Sequence, residues 1–365
     1  MRDLTVGVEE EFVLVDASTR CTAPRAAAVL ARVARIPAPP EVMFQAELVT
    51  TQVEAATGVC DDLADLRGQL EDARACLAAA ARAEGVRLVS TGNPVLAGSS
   101  VPFTPGEHFA RLAGILAGAA VGYQACGCHV HIGVPDRESA VAVVNHLRPW
   151  LPTLLALSAN SPFDQGRDSG YASWRIQAQA RFPGAGVPPW FPSAAAYDRN
   201  LHRLVEIGVL ADEGTTFWLA RPSQRLPTVE VRAADAVATV DEAMLQAALV
   251  RALVHTALAD LAIGREAPTV PDQLCTAALW SAARYGLAGP GIHPLKECQV
   301  DAWILLEELL RRVRPALEEN GDLAVVRKLI GQVKQGGTGS VRQRAAMVHG
   351  LPAVVDMLVR QTGGH

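Results

Sequence analysis

Three consecutive glutamates, Glu9, Glu10 and Glu11, interrupt the first apolar segment of the chain, Gly7-Val8-Glu9-Glu10-Glu11-Phe12-Val13-Leu14-Val15. The segment reads as a β-strand. Alternation then sends Glu9 and Glu11 to one face and Val8, Phe12 and Leu14 to the other. Two like charges on one strand face must be screened either by water, on an exposed face, or by a divalent cation with hard oxygen ligands. The segment alone supports both readings. In each of them the chain builds a sheet with an aliphatic back.

Three further segments repeat the pattern. In Phe44–Thr57, Gln52 and Glu54 share a strand face, and Glu47 lies seven residues before Glu54. Taken alone this reads as a surface strand, although small and β-branched neighbours suit a buried wall. In Cys126-Gly127-Cys128-His129-Val130-His131-Ile132-Gly133, alternation separates the thiols from the imidazoles, which argues against a mixed thiolate–imidazole zinc site. Gly127 and Gly133 border the histidine face and leave room for a ligand to approach, while Cys126 and Cys128 are expected in the core. In Thr228-Val229-Glu230-Val231-Arg232, Glu230 and Arg232 share a face opposite Val229 and Val231. On their own they make a salt bridge, and beside a metal they suit ion ligation and a transferring phosphoryl group. Together the four segments describe a sheet whose front lines a cation-filled cavity.

A chain of 365 residues, half of them hydrophobic and 19% charged, can bury a large core. Because the motifs run from residue 9 to residue 232, one catalytic domain is expected, with a sheet-bearing core over about 1–265 and a mainly helical part over about 266–365. A net charge of −5 offers no electrostatic footprint for nucleic acid or anionic membrane. The only lysines are Lys296, Lys328 and Lys334, so phosphate bound earlier in the chain must be held by Arg, backbone N–H groups or metal. Seven cysteines without framework spacing, and an N-terminus without signal-peptide character, point to a reduced cytoplasmic setting. The longest apolar run, Leu112–Cys126, is too short and Gly-rich to span a bilayer. Its Gly114, Gly118 and Gly122 are expected to let a helix pack closely on a neighbour.

Strands are expected at Leu4–Val15, Ala46–Thr57, Val86–Gly92, Ala125–Val134 and Thr228–Ala233. Helices are expected at Asp61–Glu84, from Pro135-Asp136 through Val144, from a Ser193 cap to Ile207, and at Val240–Ile263, Val300–Glu318, Leu323–Lys334 and Val341–Val359. The stretch Phe182–Pro192 reads as an irregular loop covering a site. Short strands separated by helices of varied length, with no Gly-rich turn after the first strand, favour an α+β fold with a largely antiparallel sheet.

These segments resemble the type 2 glutamate-cysteine ligase family, ATP-dependent carboxylate-amine ligases. The resemblance covers nearly the whole chain. It is carried by Gly7-Val8-Glu9-Glu10-Glu11-Phe12, Gln52-Val53-Glu54, His129-Val130-His131-Ile132-Gly133-Val134-Pro135-Asp136, Arg148-Pro149-Trp150-Leu151-Pro152 and Gly166-Arg167-Asp168. It continues in Arg221-Pro222-Ser223, Glu230-Val231-Arg232, Trp280 with Ala282-Ala283-Arg284-Tyr285-Gly286-Leu287, and Gly337-Thr338-Gly339 with Gln343-Arg344. The resemblance implies a curved sheet of about six mainly antiparallel strands related to glutamine synthetase, small-molecule carboxylate and amine substrates, ATP, and two or three Mg²⁺ ions, with Mn²⁺ a substitute. It implies Glu9, Glu54 and Glu230 as ligands of one metal and Glu11, Glu47 and His129 as ligands of the others. It implies Arg232, beside Glu230, as the residue stabilising the transferred phosphoryl group, Arg175 and Arg181 as grips on the substrate carboxylate, and a homodimer. The absence of GxxxxGK[ST] agrees with that chemistry.

The chain departs from the family pattern at Gly92-Asn93-Pro94, where relatives have Gly-Thr-His-Pro, and at Leu219, where an Asp commonly follows Trp218. Both departures bear on whether the substrates are glutamate and cysteine or another amino acid–amine pair. Two competing readings are a metal-dependent hydrolase built on His129 and His131 with Glu9 or Glu11, and an inactive protein that keeps the fold. The segment Gln335-Gly336-Gly337-Thr338-Gly339-Ser340 reads either as a phosphate cradle or as a flexible loop.

Overall fold

Alternation is what the sheet is made from. In the computed structural model, which describes residues 4–37, 39–99 and 101–363, seven strands form one antiparallel sheet: β1 (Val6–Asp16), β2 (Met43–Ala46), β3 (Gln52–Ala56), β4 (Val86–Val89), β5 (Gly127–Gly133), β6 (Ala220–Pro222) and β7 (Thr228–Asp235). The order is β6-β7-β5-β1-β3-β2, and β4 pairs with β1 where β5 leaves it. Seven strands stand against the about six implied by the resemblance, because β2 and β6 join the five segments expected from alternation. The bend between β2 and β3, at Glu47–Thr51, is pinned by Gln52 N–H to Val49 O and Thr50 N–H to Pro102 O.

Thirteen helices are described: α1 (Ala26–Val33), α2 (Leu63–Ala83), α3 (Glu107–Leu116), α4 (Arg137–Leu147), α5 (Leu151–Ser158), α6 (Trp174–Gln179), α7 (Ala194–Glu206), α8 (Val240–Ala262), α9 (Asp272–Tyr285), α10 (Ala302–Glu319), α11 (Leu323–Gly336), α12 (Gly339–Ala346) and α13 (Leu351–Thr362). Their starts follow the caps. Asp62 accepts the N–H groups of Ala64 and Asp65, Asp136 that of Ser139, Ser193 that of Ala196, and Thr239 with Glu242 forms a capping box. The last expected helix is broken at Gly350, whose φ of 90° only glycine adopts easily, so α12 and α13 are separate. The stretch Phe182–Pro192 is irregular apart from a two-residue parallel pairing of Ala185–Gly186 with Phe217–Trp218.

The back of the sheet is the core. Val8, Val130, Ile132, Val229 and Val231 meet α4, α5 and α8, and the same cluster takes in Leu306, Leu309 and Val313 of α10 and Val326 of α11. Phe12, Leu14, Val53 and Ala55 meet α1 and α2 in a second cluster. Among the described residues α8 is the one helix long and apolar enough to cross a membrane, and 83% of that apolar stretch is buried inside the protein, so its all-round apolarity is that of a central core helix. Cys128 lies in the back cluster. Cys126, expected beside it, instead packs with Val13, Val15 and α13, just ahead of β5, where the front of the sheet turns apolar.

The glycines that govern close packing are not the expected ones. A side chain at Gly114, Gly118 or Gly122 would touch nothing within 4 Å, so these residues mediate no close helix packing. Gly339, in contrast, abuts Asn160, whose Oδ1 occupies the place a Cβ would need. Thr338 and Ser340 are buried, Gly337 N–H is bonded to Val333 O and Ser340 N–H to Ala159 O. The segment is a packing joint between α11 and α12.

Candidate active site

Cross-strand register assembles the site. Glu9 stands opposite His129, Glu11 opposite Glu54, Gln45 opposite Glu54, His131 opposite Glu230, and Arg221 opposite Glu230. All lie on the front face. Like charges set directly opposite, as Glu11 and Glu54 are, cost stability unless a cation sits between them.

The ligand atoms form three groups, each within 4.8 Å: Glu9 with His131 and Glu230, Glu9 with Glu54 and His129, and Glu11 with Glu47 and Glu54. Glu9 and Glu54 are shared, so the groups run as a file across the sheet. All six acids and imidazoles expected as metal ligands are in this file, but the geometry divides them differently from the expected sets. It also adds His131, which the sets implied by the family resemblance leave out and only the hydrolase reading used. Glu47 reaches the file from the hairpin bend, not from a strand.

The electrostatics are those of a site built around missing positive charge. Burial pushes Glu54 well above the usual carboxylate range, and Glu47, Glu9 and Glu11 push it further. Burial, then Glu11, raises Glu47 to about 7. Burial opposes ionisation of Glu9 too, but hydrogen bonds from His129 and His131 outweigh it and hold Glu9 low. Burial and Arg232 depress His129; in His131 the same burial is overcome by Glu9 and Glu230, and its affinity for a proton rises. His131 Nε2 faces Glu9 at 3.2 Å, while His129 Nε2 is buried without a directed hydrogen bond, 3.6 Å from Glu11. Imidazole nitrogens beside crowded carboxylate oxygens are a donor set that fits divalent cations.

Glu230 and Arg232 form one end of the site. Glu230 is 4% exposed and ionised despite burial, because Arg232 and Arg221 both grip it. Arg221 Nε donates to Oε2 at 2.7 Å, Arg232 Nη1 donates to Oε1, and Arg232 Nη1 also lies 3.3 Å from His129 Nδ1. Arg221 carries no expected role; its place opposite Glu230 is set only once β6 is paired.

Arg175 reaches only the Gly127 edge of this face, where it is taken up by backbone carbonyls, and Arg181 is taken up by an aromatic stack. A bulge after Val231 withdraws Arg232 and Ala233 from the β5 ladder, and the Arg175 guanidinium, 1% exposed, takes their carbonyls, with Nη2 to Arg232 O at 3.0 Å. Arg181 donates through Nε to Ala178 O and stacks on Tyr123 and Phe182 at 5.6 Å. The bordering glycines likewise make room for protein: a Cβ at Gly127 would meet His129 Nε2 and Arg175 Nη2, and one at Gly133 would meet Thr5 Oγ1. Leu219, where an acid was missed, is buried in the back cluster and does not face the site. Asn93 is buried and donates to Phe163 O.

Beside the file opens a cavity of about 360 Å³, reached by Glu11, Glu47, Arg221 and Arg232 and walled by Tyr123, Phe109, Leu112 and Phe217. A larger cavity of about 590 Å³ lies behind the sheet between α8 and α10, and none of the clustered acids reaches it. Size therefore does not locate the chemistry; the cluster does.

Residues 5–351 match the sequence model of the family described as Glutamate-cysteine ligase family 2. A Saccharopolyspora erythraea protein named "Putative glutamate--cysteine ligase 2-2" is 55% identical over 98% of this chain and 92% of its own length, and a Nocardia farcinica protein named as a member of the same series is 44% identical over 97% and 92%. The fold is shared with the crystal structure of a glutamate–cysteine ligase from Francisella tularensis in complex with AMP, at a TM-score of 0.72 and 14% identity over 100% of this chain and 90% of that one. It is shared also with the ligase PafA in complex with the ubiquitin-like protein Pup, at a TM-score of 0.58 and 14% identity over 97% and 71%. The chain belongs to glutamate–cysteine ligase family 2 and is an ATP-dependent ligase that forms carbon–nitrogen bonds.

Proposed function

We propose that the chain joins an amino-acid carboxylate to an amine through an acyl phosphate, with the front of the sheet as its active site. The observation that carries this reading is the file of acids and imidazoles ending at Arg232 beside a cavity. Glu9, Glu11, Glu47, Glu54, His129, His131 and Glu230 would hold two or three Mg²⁺ ions, or Mn²⁺ in their place. Such ions neutralise phosphoryl oxygens when bound.

The residues of the chain do the rest. A carboxylate oxygen attacks the γ-phosphorus of ATP, the bond to the β-phosphate oxygen breaks, and ADP leaves. Arg232 donates to the oxygens on which charge accumulates, and Glu230, braced by Arg221, keeps its guanidinium aimed. An amine then attacks the acyl carbon, loses a proton and expels phosphate. The apolar cavity wall keeps water from competing at that step.

Membership of a ligase family sets aside the hydrolase reading. Glutamate and cysteine are the pair in the family's name. One observation favours a specialised pair instead: both guanidiniums expected to grip the substrate carboxylate are committed elsewhere, Arg175 to bulge carbonyls and Arg181 to an aromatic stack. The test is ADP release from Mg²⁺-ATP with amino acids and amines supplied pairwise, cysteine included. ADP that requires both members of one pair, with amide formed in equal amount, supports the reading. ADP from no pair, or product formed without ATP, contradicts it.

A further inference from the structure

The cavity beside the cation file has an inner end with an unused acceptor. Gln179, on α6, is 6% exposed; its amide is hydrogen-bonded to the Tyr123 hydroxyl, and its Oε1 has no partner. Both residues line the cavity. A buried amide oxygen left unsatisfied costs about 1–3 kcal/mol, so it is kept where something else bonds to it.

Its surroundings restrict what that is. Tyr123 packs edge-on against Phe182 at 4.8 Å, and Phe182 lies on Phe217 at 4.6 Å, an apolar wall that Phe109 and Leu112 of α3 extend. Of the three guanidiniums lining the cavity, Arg221 and Arg232 are taken by Glu230, and Arg225, like His108, is solvent-exposed. Among the described residues the inner end offers no uncommitted cation, so it has nothing with which to hold a carboxylate.

We propose that Gln179 is a specificity-determining residue of the amine subsite: its Oε1 accepts an N–H of the incoming amine, whose compact apolar body lies on Tyr123, Phe217 and Leu112. This rests on the ligase reading and refines it, since it assigns the second substrate to the class of primary amines carrying an apolar group. The carboxylate substrate lies toward Arg232 and the file, at the other end of the same cavity.

The test separates binding from turnover. n-Butylammonium and butyrate are titrated calorimetrically into the wild type, Gln179→Met and Gln179→Glu, each with saturating Mg²⁺ and a non-hydrolysable ATP analogue. The wild type binds the ammonium in preference to butyrate. Gln179→Met, which keeps length and loses the acceptor, weakens that binding about fivefold or more, whereas Gln179→Glu, which keeps an acceptor, holds or tightens it. In steady state, Gln179→Met raises KM for the amine and leaves KM for ATP unchanged. A purely structural role for Gln179 would instead shift the melting temperature of both variants with no selective change in binding. The proposal is overturned if butyrate binds as well as the ammonium, or if Gln179→Met binds the ammonium like the wild type. Because the titration needs no turnover, an enzyme that binds the ammonium through Gln179 yet releases no ADP would sink the ligase reading and leave the subsite standing.

Discussion

Arg232 is fixed from two sides, by Glu230 two residues before it and by the carbonyl that its own bulged backbone lends to Arg175. A lysine there would keep the charge and lose the fork that engages Glu230 and phosphoryl oxygen together. Arg232→Lys should therefore lower kcat about 10²- to 10³-fold while KM for ATP changes little, read by steady-state ADP release. A rise in KM for ATP with kcat little changed would instead place Arg232 in ground-state binding. The middle glutamate of the opening triplet does different work. Glu10 points to the back of the sheet, where Arg74 of α2 donates to it at 2.7 and 3.0 Å and also caps Val237 O and Ala238 O. Glu10→Gln leaves a buried guanidinium without its charge partner and should cost about 3–5 kcal/mol in urea unfolding. A loss under 1 kcal/mol would show that water reaches the pair. Arg74 was findable in the sequence: it occupies the gap between Leu70 and Leu77 in the apolar stripe of α2, on the side that Glu10 must face.

At the level of elements, α11 and α12 give opposite predictions for the same substitution. Gly339→Ala drives a Cβ into Asn160, which is itself bonded to Gln343, Ser90 O and Ala236 O and cannot yield freely. It should destabilise the protein by about 1–3 kcal/mol. Gly331→Ala, inside α11 with open space around it, should stabilise by about 0.5–1 kcal/mol. Thermal unfolding of the two variants side by side checks the sign of each. Strands and caps were legible because alternation and capping chemistry are local. The hairpin at Glu47, the bulge after Val231 and the break at Gly350 were not. Each depends on a partner far along the chain: Pro102 for the bend, Arg175 for the bulge, and the apolar cluster of Val13, Val15 and Val89 that α13 covers. The candidate site was legible as a set of residues on one face. Its grouping was not, since which acids share an ion follows from register, and His131 joins Glu9 and Glu230 only because β5 and β7 pair as they do.

For the molecule as a whole, five carboxylates on the front face are answered by two guanidiniums, Arg221 and Arg232, so the fold carries unbalanced negative charge at its centre. An ion that binds only the folded state stabilises it by mass action, about 2.7 kcal/mol at a hundred times its dissociation constant. Mg²⁺ or Mn²⁺ should raise the melting temperature relative to protein in chelator, and Glu54→Gln, which removes the carboxylate shared by two groups, should abolish most of that rise. An equal rise in the variant would move the ions away from the file. In the proposed reaction this face transfers phosphate from ATP to a carboxylate. The decisive experiment uses the carboxylate substrate labelled with ¹⁸O in both oxygens and turned over with Mg²⁺-ATP and the amine. An acyl phosphate intermediate predicts one ¹⁸O atom in each inorganic phosphate released, with ADP as the nucleotide product; phosphate free of ¹⁸O, or AMP in place of ADP, would contradict it.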